Sequence, residues 1–464
     1  MTGLEVLAQF ASREQALSTD ERIQARRPVL DTLAVAVAAR DEPVVEAAHR
    51  LARSTVAVNG RHARSLTTGQ KLPVGEAAFV NGVAGHALDF DDVSMAMSGH
   101  PSTLLVPVTL AIAESADATV HELLEAYSVG LRVNLAVSAG FDFIGHYNRG
   151  WHASVTVGSL GATAAAARLL GLTREETLNA LGIAVSMAAG TRQNFGTMTK
   201  PLHIGLAANN AVRAATLAMH GVDASSAALD GPLWFYNLYG TDTPQDNRSA
   251  DGLIAAIESG TSAALATLSV KRYPCCYQTH RAIDASLDVR AALDEVYGVD
   301  DIASVVVCVN PGSDTSLIHE YATTATEGRF CLRYAVAKAL LDGRVDFGSF
   351  TDAEVAGEAV QELMRRIDVR YSVDPPFDLV EYDLDYAAVK VTLTSGTSGH
   401  ITCTAPRGNA SRPLSDESLV DKANLCLERG DHQPDASELW NLLGMRHAHV
   451  SDIVDIVTQL AKKR

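Results

Sequence analysis

Residues 159–172 read SLGATAAAARLLGL, and the helix that this stretch predicts is apolar on nearly every side. A surface helix keeps a polar face, whereas a helix that is apolar all round lies inside a protein. The segment therefore predicts a core helix of a multi-helix domain. On both sides of it, apolar residues recur at three and four positions, which is typical of helices. The helices predicted in this way span 28–40, 43–57, 74–88, 102–115, 120–138, 153–170, 174–189, 203–220 and 249–262.

The pattern changes after about residue 265. Short β-branched, partly alternating runs predict strands at 303–309, 367–372, 388–394 and 399–404. Further helices are predicted at 280–296, 329–341, 352–365, 418–428, 435–444 and 450–462. The simplest arrangement is a mainly α protein, in which a helical domain is interrupted by an α+β segment.

Composition restricts the class of protein. The 464 residues include 38 basic and 55 acidic side chains, a formal charge of −17, which argues against a nucleic-acid partner. No apolar run of about 18 residues predicts a membrane span, and the N-terminus carries charges where a signal peptide is apolar. The six cysteines form no CxxC pair. We therefore expect a reduced, cytoplasmic protein without structural disulfides or a zinc site.

Common cofactor and nucleophile motifs are missing from the sequence. It contains no P-loop, no strand–GxGxxG–helix unit, no HExxH and no GxSxG. We therefore expect an enzyme, if this is one, to need neither metal nor nucleotide nor covalent serine. Its chemistry would then rest on acid–base side chains.

Four polar segments stand out from this apolar background, and three of them immediately precede long apolar helices. Helix N-termini attract carboxylates, lysine and arginine strengthen that attraction, and histidine and tyrosine can transfer protons. Each segment also has a structural interpretation, as helix caps, solvated turns or hydrogen-bonded core histidines. The segments are HALDFDDVSMAMSGHPS (86–102), GHYNRGWHASVTVG (145–158), GTRQNFGTMTKPLHIG (190–205) and VKRYPCCYQTH (270–280).

These blocks resemble the MmgE/PrpD family, whose members include 2-methylcitrate dehydratases, cis-aconitate decarboxylases and iminodisuccinate epimerases. The resemblance rests on HALDFDD, GHPS, GWHASVTVGSLGA, TKPLHIG and KRYPCCYQTHRAID, which run in family order. It implies a large all-helical domain built from both chain ends, a smaller α+β lid domain, a homodimer, and a site between the domains without cofactor or metal. The expected boundaries are 1–266 with 405–464 for the helical domain and 267–404 for the lid.

The resemblance also implies the site residues. It points to Asp89, His100, His152 and Lys200 as catalytic, and to His203, Lys271, Arg272 and Tyr334 as substrate contacts. Residue chemistry adds Tyr147 as a proton-transfer group, paired with Lys200, and Arg192 as a carboxylate contact. We expect Asp89 to orient His100, while Asp91 and Asp92 act as caps or turn residues.

Two departures from the family pattern bear on the reaction. The cis-aconitate decarboxylases have threonine at the position of Val93 and histidine at the position of Cys276, which makes decarboxylation unlikely for this chain. The loop from Asp92 to His100 also differs from that of the methylcitrate dehydratases.

The expected reaction is proton transfer at the carbon next to a carboxylate of a di- or tricarboxylate, with dehydration favoured. One alternative is epimerisation of an imino-dicarboxylate. Another, of a different class, is a non-catalytic carboxylate-binding protein on the same fold.

Overall fold

The computed structural model describes residues 1–55, 61–231, 235–240, 248–293, 298–373, 385–430 and 435–459. The chain forms two compact units. Unit 1 comprises Met1–Asn194, Met198–Val270 and Ser415–Arg464, and unit 2 comprises Phe195–Thr197 and Lys271–Leu414. The boundaries expected from sequence lie after residues 266 and 404, four and ten residues before those of the units, which follow Val270 and Leu414.

Unit 1 is mainly helical. Its helices before residue 270 are α1 (Gly3–Ala11), α2 (Thr19–Ala38), α3 (Pro43–Arg53), α4 (Val74–Ala87), α5 (Ser102–Ser115), α6 (Val120–Ser138), α7 (Phe143–Asn148), α8 (Ala153–Thr156), α9 (Gly158–Leu169), α10 (Arg174–Met187), α11 (Thr199–Met219), α12 (Phe235–Tyr239), α13 (Ala250–Glu258) and α14 (Thr261–Leu265).

The core helix predicted from residues 159–172 is confirmed. Every residue of α9 from Gly158 to Ala167 is buried. A Cβ atom on Gly161 would collide with the carbonyl oxygen of Gly130 on α6, so glycine is required for these two helices to approach so closely. This close approach fixes α6 against α9 at the centre of the unit.

Side-chain caps set several helix starts. Thr173 and Glu176 form a reciprocal capping box at the start of α10. A similar box of Ser18 and Glu21 starts α2 nine residues before the predicted start, and Pro28 lies within that helix. The sequence interpretation took this proline for a helix start.

Unit 1 also contains two short antiparallel strand pairs, so the expectation of an all-helical domain is wrong in this detail. Strand β1 (His62–Arg64) pairs with β2 (Lys71–Pro73), and β3 (Val93–Ser94) pairs with β4 (Leu268–Ser269). The second pair joins the chain just after the aspartate segment to residues near the end of the helical region.

Unit 2 combines a four-stranded sheet with helices. Its elements are α15 (His280–Leu293), β5 (Ile302–Val309), α16 (Ala325–Gly328), α17 (Leu332–Asp342), α18 (Asp352–Val355), α19 (Glu358–Arg365), β6 (Ile367–Tyr371), β7 (Ala387–Leu393) and β8 (Ser398–Cys403). The strand order is β6-β5-β7-β8, with β6 parallel to β5 and the other pairs antiparallel. In the register, Val307 lies opposite Val369 on β6 and Val389 on β7, and Val307 and Val389 belong to one buried core with residues of α15 and α17.

Three C-terminal helices belong to unit 1: α20 (Asp416–Arg429), α21 (Ala436–Gly444) and α22 (Val450–Gln459). The ends of three predicted helices, residues 56–57, 294–296 and 460–462, lie outside the described residues. No helix in the described part of the chain combines the length and apolar character needed to cross a membrane.

Candidate active site

The aspartate segment, residues 89–92, begins where α4 ends. Leu88 is the C-cap of α4. Asp89 follows with φ of 51°, a left-handed conformation that aspartate tolerates better than most residues. The turn brings three carboxylates into the protein interior, since Asp89, Asp91 and Asp92 are at most 3% exposed. The interpretation of these residues as a solvated turn is therefore wrong.

Asp89 forms a buried ion pair with Lys200. The Lys200 Nζ lies 2.5 Å from Asp89 Oδ1, and each side chain is 5% exposed. Lys200 is the second residue of α11, which begins four residues before the predicted start and holds Pro201 in its first turn, where proline is tolerated. A cation and an anion that stay paired out of water form a preorganised polar centre.

Asp91 accepts hydrogen bonds from two imidazoles. His86 Nδ1 lies 3.0 Å from both of its carboxylate oxygens, and His100 Nδ1 lies 3.1 Å from Oδ2. His100 Nδ1 is also 2.9 Å from the carbonyl oxygen of Asp92. The geometry assigns the Nδ1–H tautomer to both rings, which leaves each Nε2 as a proton acceptor.

The expectation that Asp89 orients His100 is therefore wrong, because Asp91 does so while Asp89 holds Lys200. Burial by itself would raise the pKa of Asp91, but its charge interactions and hydrogen bonds with His86 and His100 hold that pKa well below the ordinary value. Burial also lowers the pKa of His86 to about 4, despite the attraction of Asp91. At neutral pH, Asp91 is charged and His86 is neutral.

Asp92 caps the next helix. It accepts from the Ser102 backbone N–H at 3.3 Å and from the Ser102 hydroxyl, and Ser102 Oγ lies 2.7 Å from the hydroxyl of Tyr127 on α6. Burial raises the pKa of Asp92 to about 8. The sequence suggested that Asp91 and Asp92 are both caps or turn residues. In the structure, Asp92 is a cap and Asp91 is the partner of two histidines.

His152 and His203 form a second imidazole pair beside the first. Their Nδ1 atoms lie 3.2 Å apart, and the ring centroids of His152 and His86 are separated by 6.2 Å. His152 precedes α8, and His203 lies one turn after Lys200 on α11. Burial, followed by the positive charge of Lys200, lowers the pKa of both rings, so both are neutral at physiological pH.

Tyr147 and Arg192 support the loop that carries His100. The Tyr147 hydroxyl donates to the carbonyl oxygen of Ser98 at 2.7 Å, and Ser98 is another left-handed residue, with φ of 46°. Arg192 donates to the Tyr147 carbonyl at 2.7 Å and lies 4.6 Å above its ring. The pairing of Tyr147 with Lys200 stays a prediction.

The three candidates in unit 2 occupy different environments. Lys271 is fully buried, whereas Arg272 is exposed, with its guanidinium 5.9 Å from the ring of Tyr273. Their contact with substrate stays a prediction. Tyr334 lies in the core of unit 2, and its hydroxyl donates to the carbonyl oxygen of Ser349. Tyr334 therefore serves the packing of its own unit, and no substrate contact is proposed for it.

His86 is the residue that the sequence interpretation missed. It lies in the last turn of α4 within an otherwise apolar, buried helix, where a histidine resembles a core residue. Its Nε2 is buried and has no hydrogen-bond partner among the described residues. The sequence did contain a signal for including His86 in the site, because it lies three residues before Asp89 and five before Asp91.

Four of these side chains could also serve as metal ligands. The ligand atoms of His86, Asp89, Asp91 and His100 all lie within 4.8 Å of one another. However, the ammonium group of Lys200 already pairs with Asp89, and a cation bound beside it would be repelled. The hydrogen bonds and charges of this cluster therefore fit proton transfer better than metal binding.

Comparison with known proteins gives matches to both parts of the chain. A family model described as the MmgE/PrpD N-terminal domain matches residues 5–247, and the MmgE/PrpD C-terminal domain matches residues 273–440. A cis-aconitate decarboxylase of Homo sapiens is 30% identical over 416 residues, which cover 87% of this chain and 83% of that protein. A 2-methylcitrate dehydratase of Escherichia coli (strain K12) is 26% identical over 433 residues, which cover 86% of this chain and 85% of that protein.

Proposed function

Since the chain belongs to the MmgE/PrpD family, we propose that it is a lyase that dehydrates a di- or tricarboxylate with acid–base side chains alone. Its relatives are named for reactions of cis-aconitate and 2-methylcitrate, which are both tricarboxylates. The single observation that carries the proposal is the cluster in unit 1, where the Asp89–Lys200 pair lies beside imidazoles held by Asp91.

Each part of this cluster meets one requirement of the reaction. Removal of a proton next to a carboxylate places negative charge on that carboxylate in the transition state, and the ammonium group of Lys200 stabilises such charge. A neutral, buried imidazole such as His152 can accept the proton. His100 keeps its Nδ1–H on Asp91, so when its Nε2 has also accepted a proton, Nε2–H is the bond that can protonate the leaving group.

The proposed dehydration balances without a further reactant. The base takes the proton as the carbon–hydrogen bond breaks, and that electron pair becomes the new carbon–carbon double bond. The carbon–oxygen bond breaks as the acid protonates the hydroxyl, which leaves as water. His152 acts as the base. The acid is His100 in its imidazolium form, with protons on both nitrogens and Asp91 as counter-ion. After water leaves, His152 gives up its proton and His100 regains one through solvent, which restores both rings for the next turnover.

Dehydration is proposed over decarboxylation because of two side chains. Val93 carries no hydroxyl and lies in the strand pair β3–β4, opposite Ser269. Cys276, in unit 2, is buried and carries no imidazole. The resemblance leads us to expect threonine and histidine at these two positions in a cis-aconitate decarboxylase.

The test is incubation of the protein in D₂O with citrate-like tricarboxylates, hydroxy-dicarboxylates and imino-dicarboxylates, followed by NMR. Dehydration gives alkene signals, decarboxylation gives CO₂, and epimerisation gives deuterium with inverted configuration. A protein that only binds carboxylates gives no exchange. Absence of exchange with every compound that binds would overturn the proposal.

The matched variants are Lys200→Met and Lys71→Met, of which Lys71 is an exposed residue of β2. We expect Lys200→Met to lower kcat/KM by about 10²–10³ and Lys71→Met to leave it unchanged. Circular dichroism and thermal unfolding check that both variants fold. Wild-type turnover in Lys200→Met would remove this cluster as the active site.

A further inference from the structure

A second polar cavity lies in unit 1, away from the aspartate turn in sequence. We call it the arginine pocket and define it by Arg22, Arg26, His121 and Arg446, with apolar walls that include Ile23 and Leu124. Its volume is about 240 Å³, below the range of about 300–1,000 Å³ typical of sites for drug-sized ligands. The described residues that line it include neither aspartate nor glutamate, although the chain has 55 acidic and 38 basic side chains.

Two helices and the chain after a third supply the polar groups of the pocket. Arg22 and Arg26 are one turn apart near the start of α2, His121 is the second residue of α6, and Arg446 follows the end of α21. Burial, followed by the charge of Arg446, lowers the pKa of His121, so the positive charge comes from the three arginines. The N-terminal end of α6 adds the positive end of a helix dipole.

The pocket also leaves polar nitrogen atoms without partners. Arg26 stacks on the ring of Trp440 at 3.6 Å, and its Nε is buried with no hydrogen-bond partner among the described residues. The same holds for Nδ1 of His121. Buried polar atoms are nearly always satisfied in folded proteins, so these atoms point to a hydrogen-bonding ligand.

The two carboxylates whose charges act on His121, Glu122 and Glu125, are engaged elsewhere. Glu122 accepts hydrogen bonds from the backbone N–H and the hydroxyl of Thr119, both at 2.7 Å. Glu125 accepts from the backbone N–H of Gln15 at 2.6 Å and from Arg168 at 3.0 Å. These contacts hold both carboxylates as partners of other groups.

We propose that the arginine pocket binds a small organic polyanion, with a phosphate or carboxylate head group, as an effector of turnover. Guanidinium groups recognise both head groups through paired charge-assisted hydrogen bonds. The apolar walls favour an organic body over a bare inorganic ion. This site is separate from the catalytic cluster, and its binding does not depend on the proposed reaction.

Two of the pocket helices, α2 and α6, are linked through other side chains to the aspartate turn, residues 89–92. Asp31 lies five residues after Arg26 on α2, about 7.5 Å along the axis, and it pairs with Lys422, whose ammonium donates to the carbonyl of Phe90 at 2.8 Å. On α6, Tyr127 lies six residues after His121, about 9 Å along the axis. Its hydroxyl contacts Ser102, which donates to Asp92. A ligand that shifts the start of either helix thus acts on the turn that holds Asp89 and Asp91.

Isothermal titration calorimetry with two probes, inorganic phosphate and citrate, tests the binding. Citrate can also occupy the catalytic cluster, so the titrations include Lys200→Met. We expect the pocket site to persist in Lys200→Met and in the exposed control Arg50→Gln, and to weaken by roughly tenfold to a hundredfold in Arg26→Gln/Arg446→Gln. The probe that produces binding heat identifies the head group as phosphate or carboxylate. Equal affinity of that probe for wild type and for Arg26→Gln/Arg446→Gln would contradict binding in the arginine pocket.

Turnover measured with and without the probe that binds, at a concentration that saturates wild type but not Arg26→Gln/Arg446→Gln, tests the effector role. Citrate can also compete at the catalytic cluster, but that competition is the same in both proteins. We expect the probe to change kcat/KM by about fivefold or more in wild type relative to the double variant. Binding that changes no rate in wild type contradicts the effector role. No heat with either probe contradicts the whole proposal.

Discussion

A single buried carboxylate, Asp91, determines the state of two imidazoles. Because it accepts Nδ1–H from both His86 and His100, both Nε2 atoms are acceptors at the same time. The same arrangement keeps one negative charge beside both rings. Under the proposed function, the proton transfer assigned to His100 therefore depends on a residue that need not contact the substrate.

We expect Asp91→Asn to lower kcat by about 10²-fold or more, because an amide cannot accept from both rings and turns one of them to the other tautomer. Steady-state kinetics at pH 7, with thermal unfolding as the check of folding, measure this effect.

The neighbouring substitution Asp92→Asn is the matched control. The raised pKa of Asp92, about 8, means that its side chain is mostly neutral at pH 7, and its partner is Ser102 rather than an imidazole. Its turnover should stay near that of wild type. Equal losses in the two variants would contradict the assigned role of Asp91.

At this scale the sequence identified most of the cluster but not its pairings. The polar segments that contain Asp89, His100, His152 and Lys200 stand out from the apolar background, but it was the resemblance to the MmgE/PrpD family that singled out these four residues. Which aspartate faces which histidine depends on the left-handed conformation of Asp89, a local rotation that residue spacing does not determine. His86 was missed because its helix is buried on nearly all sides.

At the scale of elements, α20 holds the aspartate turn from the C-terminal part of the chain. Lys422 is 2% exposed, pairs with Asp31 of α2 at 2.6 Å, and donates to Phe90 within the turn. Its ammonium also lies 3.9 Å above the Phe90 ring. One side chain thus joins α20, α2 and the residue between two site aspartates.

We expect Lys422→Met to lower the free energy of unfolding by about 3–5 kcal/mol, because it leaves Asp31 buried without its cation. Urea unfolding measures this change. The double substitution Lys422→Met/Asp31→Leu should recover part of the loss, whereas Asp421→Asn, at an exposed neighbouring position, should cost less than about 0.5 kcal/mol. Equal stability of Lys422→Met and Asp421→Asn would contradict the role of this pair.

The limits of the elements were largely predictable. The four strands of unit 2 begin and end within one residue of their predicted ranges, because β-branched runs are bounded there by polar or turn residues. Three predicted helices are each divided in two, at Val157, at residues 259–260 and at residues 356–357. A break of one or two residues leaves the apolar periodicity largely intact, so sequence periodicity does not show it.

At the scale of the whole molecule, buried histidines couple folding to pH. Burial lowers the pKa of His49, His86 and His146 to about 4 in each case. Their ordinary value is about 6.5. Asp92 is shifted in the opposite direction, from 3.8 to about 8.

The sign of each effect follows from proton uptake. Between pH 4 and 6.5 the unfolded chain binds the protons that the folded histidines exclude, so stability rises with pH there and is lost as pH falls. Between pH 4 and 8 folded Asp92 keeps a proton that the unfolded chain releases, so its contribution falls as pH rises. Each group contributes at most about 1.4 kcal/mol per pH unit within its window.

We therefore expect maximum stability near pH 6.5, with a steep decline toward pH 5 and a shallow one toward pH 8. Urea unfolding at pH 5, 6.5 and 8 measures this profile. His49→Gln should flatten the acidic side and Asp92→Asn the alkaline side. A constant free energy of unfolding between pH 5 and 6.5 would show that these histidines are not neutral in the folded protein.

The contact between Phe90 and Lys422 spans 332 positions of the chain. The ribosome synthesises the aspartates early and Lys422 much later. A nascent chain therefore holds Asp31 without this lysine until α20 has been synthesised. Products of premature termination before this helix thus retain Asp89, Asp91 and Lys200 but lack the side chain that links their turn to α2. Synthesis through α20 is, for this chain, the step that completes the set of contacts around the aspartates.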